Sequence, residues 1–257
     1  MFQKLSLFLK FFLNEFFKLK SKIFFLKNFF KEISLFKLLS FYISKNEFPF
    51  RNIDLNKYLE KNTKIWKNTE SYSQNKLLVD LTLSSHPLYA IRNCLISKEI
   101  SKHKKYEIVV LLNRYDFYSY FIAYSFGIRN FIFFDFVNFL IRMYNYLRIL
   151  KFIDYENLQK NLVKLKYKKF DLGMAAYEHT LRNFLKTIPT DKHNYLFCIA
   201  LSQALYSAEK SNKIFKKFKI ASFVLSELQY IPNRLFFTQA LRKKIPVYAG
   251  VGGNDAE

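Results

Sequence analysis

From residue 75 onward, the apolar positions fall into two patterns. Five short runs are apolar almost without interruption: KLLVDLTL (Lys76 to Leu83), EIVVLLN (Glu107 to Asn113), NFIFFD (Asn130 to Asp135), IASFVLS (Ile220 to Ser226) and IPVYAG (Ile245 to Gly250). Runs of this length that do not alternate with polar residues predict strands buried on both faces. Between them apolar residues recur at helical spacing. Ser85 or His86 is placed to cap a helix with Pro87 in its first turn, continuing through Ile91, Leu95 and Ile100. A helix from about Asp116 is expected to stop at Gly127 in a left-handed conformation. Helical patterns then run to about Phe218, with breaks near Phe170 and Pro189, and resume from Asn233 to Lys244.

Strands alternating with helices predict βαβ units with right-handed crossovers. The expected fold class is therefore α/β, with a Rossmann-like, doubly wound parallel sheet over residues 75–257. In such sheets ligands bind outside the carboxyl ends of the strands. Those ends carry Ser84, Ser85 and His86, then Asn113 and Arg114, Asp135, Ser226 and Glu227, and the glycine loop from Gly250 to Asn254.

Residues 1–50 read differently. They are almost wholly Phe, Leu, Ile, Lys, Ser and Asn, and Phe8, Phe12, Phe16, Leu19 and Ile23 recur at helical spacing. A basic, aromatic helical leader has two readings: an interfacial segment on anionic lipid, or ordinary helices packed on the domain. Pro49 ends that pattern. Residues 51–74, punctuated by Asn52, Asn56, Asn62 and Asn68, read as a connector with one short helix.

Composition sharpens this picture in one respect. Among 257 residues stand 31 Phe and 18 Tyr but only 5 Gly and 5 Pro, with lysine far outnumbering arginine, and the net charge is +22. Such a surface attracts anionic membranes, nucleic acid and phosphorylated small molecules. The skew toward residues of AT-rich codons is a second source for the same charge. The 51% of hydrophobic residues suffices for a sizeable core. Cys94 and Cys198 lie far apart in apolar helical patterns and read as core residues, without a disulfide or zinc framework. No uncharged apolar run is long enough to cross a bilayer. Lys10, Glu15 and Lys18 interrupt anything resembling a signal peptide. Phosphate-binding loops, metal-ligand clusters, nucleophile elbows and nucleic-acid motifs do not occur, and no metal or bound cofactor is expected.

Several residues could carry chemistry. His86 could act as a base or cap its helix. Arg114 could hold a phosphate in bidentate fashion or stay solvated beside the capping Asp116. Glu227, just past a buried strand, could serve as base, hydroxyl acceptor or cap. Tyr177, Glu178, His179 and Arg182 fall within one and a half helical turns and form a polar face. Gly250, Gly252 and Gly253 allow a backbone to approach a ligand closely.

Four segments together resemble a known family. They are LLVDLTLSSHPLYAIRNCLISKEI, SFGIRNFIF, FDLGMAAYEHTLRNFLKTIPT and KIASFVLSELQYIPNRLFFTQALRKKIPVY. The family comprises bacterial capsule and surface polysaccharide biosynthesis proteins similar to glycosyltransferases with two facing Rossmann-like domains, the GT-B arrangement. The resemblance covers roughly residues 75–250 and implies the N-terminal half of such an enzyme, truncated or split, working on the acceptor side. It implies a nucleotide-sugar donor, a glycan or lipid-linked acceptor, and a cytoplasmic site, peripheral on the inner membrane. A separately encoded C-terminal half would then be a partner. Gly173, Tyr177, Arg182, Ser226 and Tyr230 match family positions as substrate-binding residues, beside Ser85, Arg114 and the terminal glycines. His86 and Glu227 are the expected catalytic groups. Met174, Glu178 and Glu227 depart from the family pattern, which has Asp, Asp and His there.

A second resemblance is to a small-subunit ribosomal protein family, through Ile245-Pro246-Val247 and Gly253-Asn254-Asp255-Ala256. It implies an organellar or divergent RNA-binding structural protein. The family's Arg-Trp-Leu-Gly-Gly segment is missing, and the lone tryptophan, Trp66, stands elsewhere.

Overall fold

The computed structural model describes residues 5–13, 33–44, 48–66, 74–83, 87–114, 116–136, 138–152, 164–183, 194–228 and 230–249. After a helical stretch over residues 5–13, α1 (Leu35–Ser44) and α2 (Ile53–Trp66) precede the sheet. Then come β1 (Lys76–Asp80), α3 (Pro87–Lys104), β2 (Glu107–Asn113), α4 (Phe117–Ser125), β3 (Asn130–Phe134) and α5 (Phe139–Phe152). A small hairpin, β4 (Lys166–Tyr167) and β5 (Phe170–Asp171), leads into α6 (Leu172–Asn183) and the long α7 (Asn194–Lys217). The chain continues through β6 (Ile220–Leu225), α8 (Asn233–Arg242) and β7 (Val247–Ala249).

Five strands form one all-parallel sheet in the order β3-β2-β1-β6-β7. The first three strands progress outward in one direction, and β6 then returns to the other side of β1. That reversal places α3 and α4 on one face and α7 and α8 on the other. On the first face Leu77, Val79, Val110 and Leu112 pack with Cys94, Phe121 and Ile122. On the second, Leu78, Leu111, Phe223 and Leu225 pack with Ile214 and Phe215 of α7 and with Phe236 and Ala240 of α8. Successive strand residues thus enter opposite cores, which is why the runs read as continuously apolar. Behind α7, a third cluster joins Tyr146 and Ile149 of α5, Ala175 and Ala176 of α6, and Phe197, Leu201 and Leu205 of α7.

Four of the five expected strands lie within the expected runs, and β2 matches its run. The β1 ladder ends at Asp80, because Leu81 to Leu83 leave the sheet beyond their last bond to β2. Asp116 caps α4 by accepting from the Ser119 N–H at 3.1 Å, and Gly127, with φ 74°, terminates that helix. The β4–β5 hairpin was not foreseen beyond a break near Phe170. Two-residue strands are too short to show a period, and Lys168 and Lys169 occupy turn positions with φ 47° and 76°, where glycine or asparagine is the usual signal.

The connector holds more helix than expected, since α2 spans 14 residues. Two of its asparagines are structural, and Asn68 lies outside the described residues. Asn52 caps the helix through the Leu55 N–H at 3.0 Å, and Asn62 bridges the Ser125 hydroxyl and the Trp66 indole N–H at 2.9 and 3.0 Å. In the leader, residues 5–13 are helical, and Phe11 stacks on Tyr146 with ring centroids 4.3 Å apart. Phe41 of α1 meets Phe121 edge-on at 4.9 Å. Each segment buries one edge; Leu9, Phe12, Phe36, Leu39 and Ile43 remain exposed. Residues 14–32 lie outside the described residues. Both cysteines are buried, and no helix among the described residues is long and apolar enough to cross a membrane.

Candidate functional site

A parallel sheet whose strand order reverses leaves a crevice where the two crossovers diverge, at the carboxyl ends of the two central strands. Here those ends belong to β1 and β6, between the starts of α3 and α8. Both helix N-termini turn their positive dipole ends toward the same region.

The floor of this crevice is a buried polar network. Asp80, 1% exposed, ends β1. Its Oδ1 accepts from the Thr82 N–H at 3.1 Å and from the Thr82 hydroxyl at 2.7 Å; Asn233 Oδ1, at the start of α8, lies 3.1 Å from the same hydroxyl. Asn93 of α3 donates both amide protons, to the Asp80 carbonyl and to Ser226 Oγ, each at 2.9 Å. Asn113 donates to the Thr82 carbonyl at 2.8 Å. Three strand ends, the body of α3 and the start of α8 are thereby locked together. Two buried atoms of opposite polarity, Asp80 Oδ2 and Asn233 Nδ2, have no hydrogen-bond partner among the described residues. Burial pushes the Asp80 carboxyl up to about 6, against the lowering effect of its hydrogen bonds to Thr82.

The rim carries the charged groups. Tyr89 donates its hydroxyl to Glu227 Oε1 at 3.3 Å, and Arg92 lies over the Tyr89 ring at 5.0 Å while donating to the Ser226 carbonyl at 3.3 Å. A carboxylate, a phenol and a guanidinium therefore adjoin at the end of β6. This set can accept a proton from a hydroxyl at Glu227 and hold an anion at Arg92.

The expected site residues scatter more widely. Ser226 and Glu227 belong to this crevice, and Tyr230 lies on the loop between β6 and α8, its carbonyl accepting from the Arg234 N–H at 3.0 Å. Ser85, His86, Gly250, Gly252 and Gly253 lie outside the described residues. Arg114 sits at the end of β2, paired with Asp135 of the neighbouring strand end and stacked over Phe133 at 5.1 Å. The guanidinium stays half exposed while it pairs with Asp135. Lys210 approaches the same Asp135 at 3.8 Å, and burial pulls the Lys210 ammonium below its usual range.

Gly173, Tyr177 and Arg182 lie on α6, in the outer helical layer. Gly173 is buried and donates its N–H to the Leu165 carbonyl at 2.9 Å. Tyr177 packs on the outer core, while Arg182 is exposed. Glu178 pairs with Arg234, one residue beyond Asn233, and so ties α6 to the first turn of α8. His179 is not an exposed polar group: burial pushes its imidazole down to about 4, so it is neutral at pH 7.

Sequence reasoning missed Asp80, Asn93 and Asn233. Asp80 was visible as the one charged residue inside an otherwise apolar strand run, a placement that costs energy unless the group is partnered. The two asparagines gave no signal, because their partners are distant in sequence. Among the described residues no group of three or more His, Cys, Asp or Glu side chains could hold a metal ion. No protein-family profile, curated protein or solved structure matches this chain.

Proposed function

We propose that this protein binds a sugar-bearing ligand in the crevice between β1 and β6, as the acceptor-side, GT-B-like half of a glycosyltransferase of surface polysaccharide assembly. The observation that carries this reading is the strand-order reversal between β1 and β6, with Asp80, Asn93, Ser226 and Asn233 gathered beneath it and Glu227 on its rim. The four segments resembling the polysaccharide family supply the class of ligand. Sugar hydroxyls both donate and accept, so they suit a site that offers carboxylate, amide and hydroxyl groups side by side.

In the transfer step Glu227 takes the proton of the acceptor hydroxyl as its oxygen attacks the donor's anomeric carbon and the diphosphate departs. Tyr89 orients the carboxylate. Arg92 and the two helix N-termini stabilise negative charge at the crevice. Asp80 acts from below, holding Thr82 and with it the loop that leaves β1. The exposed apolar edges of the leader, flanked by lysines, keep the protein on the cytoplasmic surface of an anionic membrane, near lipid-linked acceptors.

Saturation-transfer NMR with a panel of nucleotide sugars and oligosaccharides tests the reading. The expected result is contact from sugar protons for at least one ligand, with about tenfold weaker binding after Glu227→Gln or Arg92→Gln. A panel without binders, or binding indifferent to both variants, overturns it.

A further inference from the structure

A cavity of about 320 Å³ lies at the far end of α8, among the β4–β5 hairpin, the second half of α7 and the last residue of α8. Asn233 at the crevice and Arg242 at this cavity are about 14 Å apart along the helix axis, taking 1.5 Å per residue. The two places are thus distinct.

Its lining is cationic. Lys168 comes from the hairpin turn, Lys213 from α7 and Arg242 from α8. The one carboxylate in the lining is Glu209, and it is already engaged. Arg148 donates to it from both terminal nitrogens, at 2.9 and 2.7 Å, and the Tyr167 hydroxyl donates at 2.8 Å. The hydrogen bonds from Arg148 hold the Glu209 carboxyl below its usual range against the opposing effect of burial, with the Tyr167 bond and the charges of Arg148 and Lys213 adding to them. Among the described residues no carboxylate forms an ion pair with Lys168, Lys213 or Arg242. Three cations therefore face a space whose negative charge is spent on a fourth.

The helix ends do not account for this. A cation at the C-terminus of a helix is favoured by the dipole, and that explains Arg242. Lys213 stands a full turn before the end of α7, and Lys168 is on no helix. Asn212, whose Oδ1 accepts from Gln239 at 3.4 Å, also lines the space. Cations converging from three separate elements, with the local carboxylate neutralised, match the needs of a multiply charged oxyanion. The volume sits at the small end of ligand pockets, suited to a phosphate ester or diphosphate rather than a whole dinucleotide.

We propose that this cavity binds a phosphate-bearing anion, held by Lys168, Lys213 and Arg242. Isothermal titration of the full chain with pyrophosphate at low ionic strength provides the test. The expected result is one saturable site, weakened about tenfold by Lys213→Gln and by Lys168→Gln, two exposed positions that the fold tolerates. Lys57→Gln with Lys61→Gln on α2 should leave binding unchanged. Non-saturating binding, or equal weakening by the α2 pair, means diffuse attraction to net charge and overturns the proposal. Two further arms identify the source of the phosphate. Glycerol phosphate and phosphatidylglycerol vesicles that both lose affinity with Lys213→Gln point to a lipid headgroup; vesicle binding indifferent to that variant, beside a pyrophosphate site that responds, points to a free anion. As a check independent of variants, pyrophosphate should slow acylation of Lys213 in the unaltered protein, read by mass spectrometry. An unchanged acylation rate at saturating pyrophosphate also overturns the site.

Discussion

At the scale of single residues, lysine stands where glycine is expected. The four non-glycine residues with positive φ among the described ones are Lys105, Lys168, Lys169 and Lys244. Lys244 closes α8 in the same way that Gly127 closes α4. In each case the following N–H reaches the carbonyl five residues back, Ile245 to Ala240 at 3.0 Å and Ile128 to Ala123 at 3.2 Å. The stop at Gly127 was legible because glycine announces a left-handed residue; the same geometry at Lys244 carries no such mark. A Cβ in that conformation costs roughly 1–2 kcal/mol, partly offset by glycine's greater freedom when unfolded. Lys244→Gly and Lys105→Gly should therefore each stabilise the protein by about 1 kcal/mol in urea unfolding.

Asp80 makes the opposite kind of prediction. Its carboxyl titrates near 6 when folded and near 3.8 when unfolded, because burial disfavours the charge. A raised folded value means that the stabilising contribution is complete below about 4 and is lost as the pH rises through about 6. The span is worth up to about 3 kcal/mol. Asp80→Asn keeps an acceptor for Thr82 and removes the titration. The difference in unfolding free energy between the variant and the parent should therefore shift in the variant's favour from pH 4 to pH 7. A difference that stays flat would show that Asp80 is not held in a desolvated site. Asp116, also raised to about 6 by burial, retains its own dependence in both proteins.

At the scale of elements, strands and helices read more clearly than the site did. Continuous apolar runs betrayed all five strands of the sheet, the three central ones because both faces are covered; β3 and β7, at the edges, are apolar yet partly exposed. Helix α2 was underread because its asparagines cap and bridge rather than break. The hairpin was lost to its brevity. The crevice was half legible: Ser226 and Glu227 follow from position at a strand end, whereas Asn93 and Asn233 earn their place through contacts across more than a hundred residues. Helix α1 offers a test of the leader. Phe41→Ala removes a buried ring among Phe48, Phe121 and Tyr124 and should cost about 3–4 kcal/mol. Ile43→Ser on the exposed edge should stay within about 0.5 kcal/mol. If the exposed edge meets lipid, Ile43→Ser with Phe36→Ser will still weaken flotation on anionic liposomes. Unchanged flotation would leave those residues as surface apolar groups without a partner.

At the scale of the whole molecule, a charge of +22 sits on a chain whose ion pairs among the described residues mostly join neighbouring elements, as Arg148 does with Glu209 and Arg234 with Glu178. Excess positive charge on the folded surface repels itself, and added salt screens that repulsion. Raising sodium chloride from low ionic strength to about 0.5 M should thus increase the unfolding midpoint, while liposome flotation falls over the same range. A midpoint that drops with salt would mean that the local ion pairs outweigh the net repulsion.

The strand order has a kinetic consequence. β1 pairs with β2 through a short crossover, Leu77 beside Ile108, but on its other side with β6, Leu77 beside Ser222. Closing the first contact loses little chain entropy; the second must gather the hairpin, α5, α6 and α7 before it is rewarded. The unit from β1 to β3 should form early, and β6 should dock onto a waiting edge. Conservative truncations such as Val110→Ala should therefore slow refolding, while Val224→Ala should mainly speed unfolding.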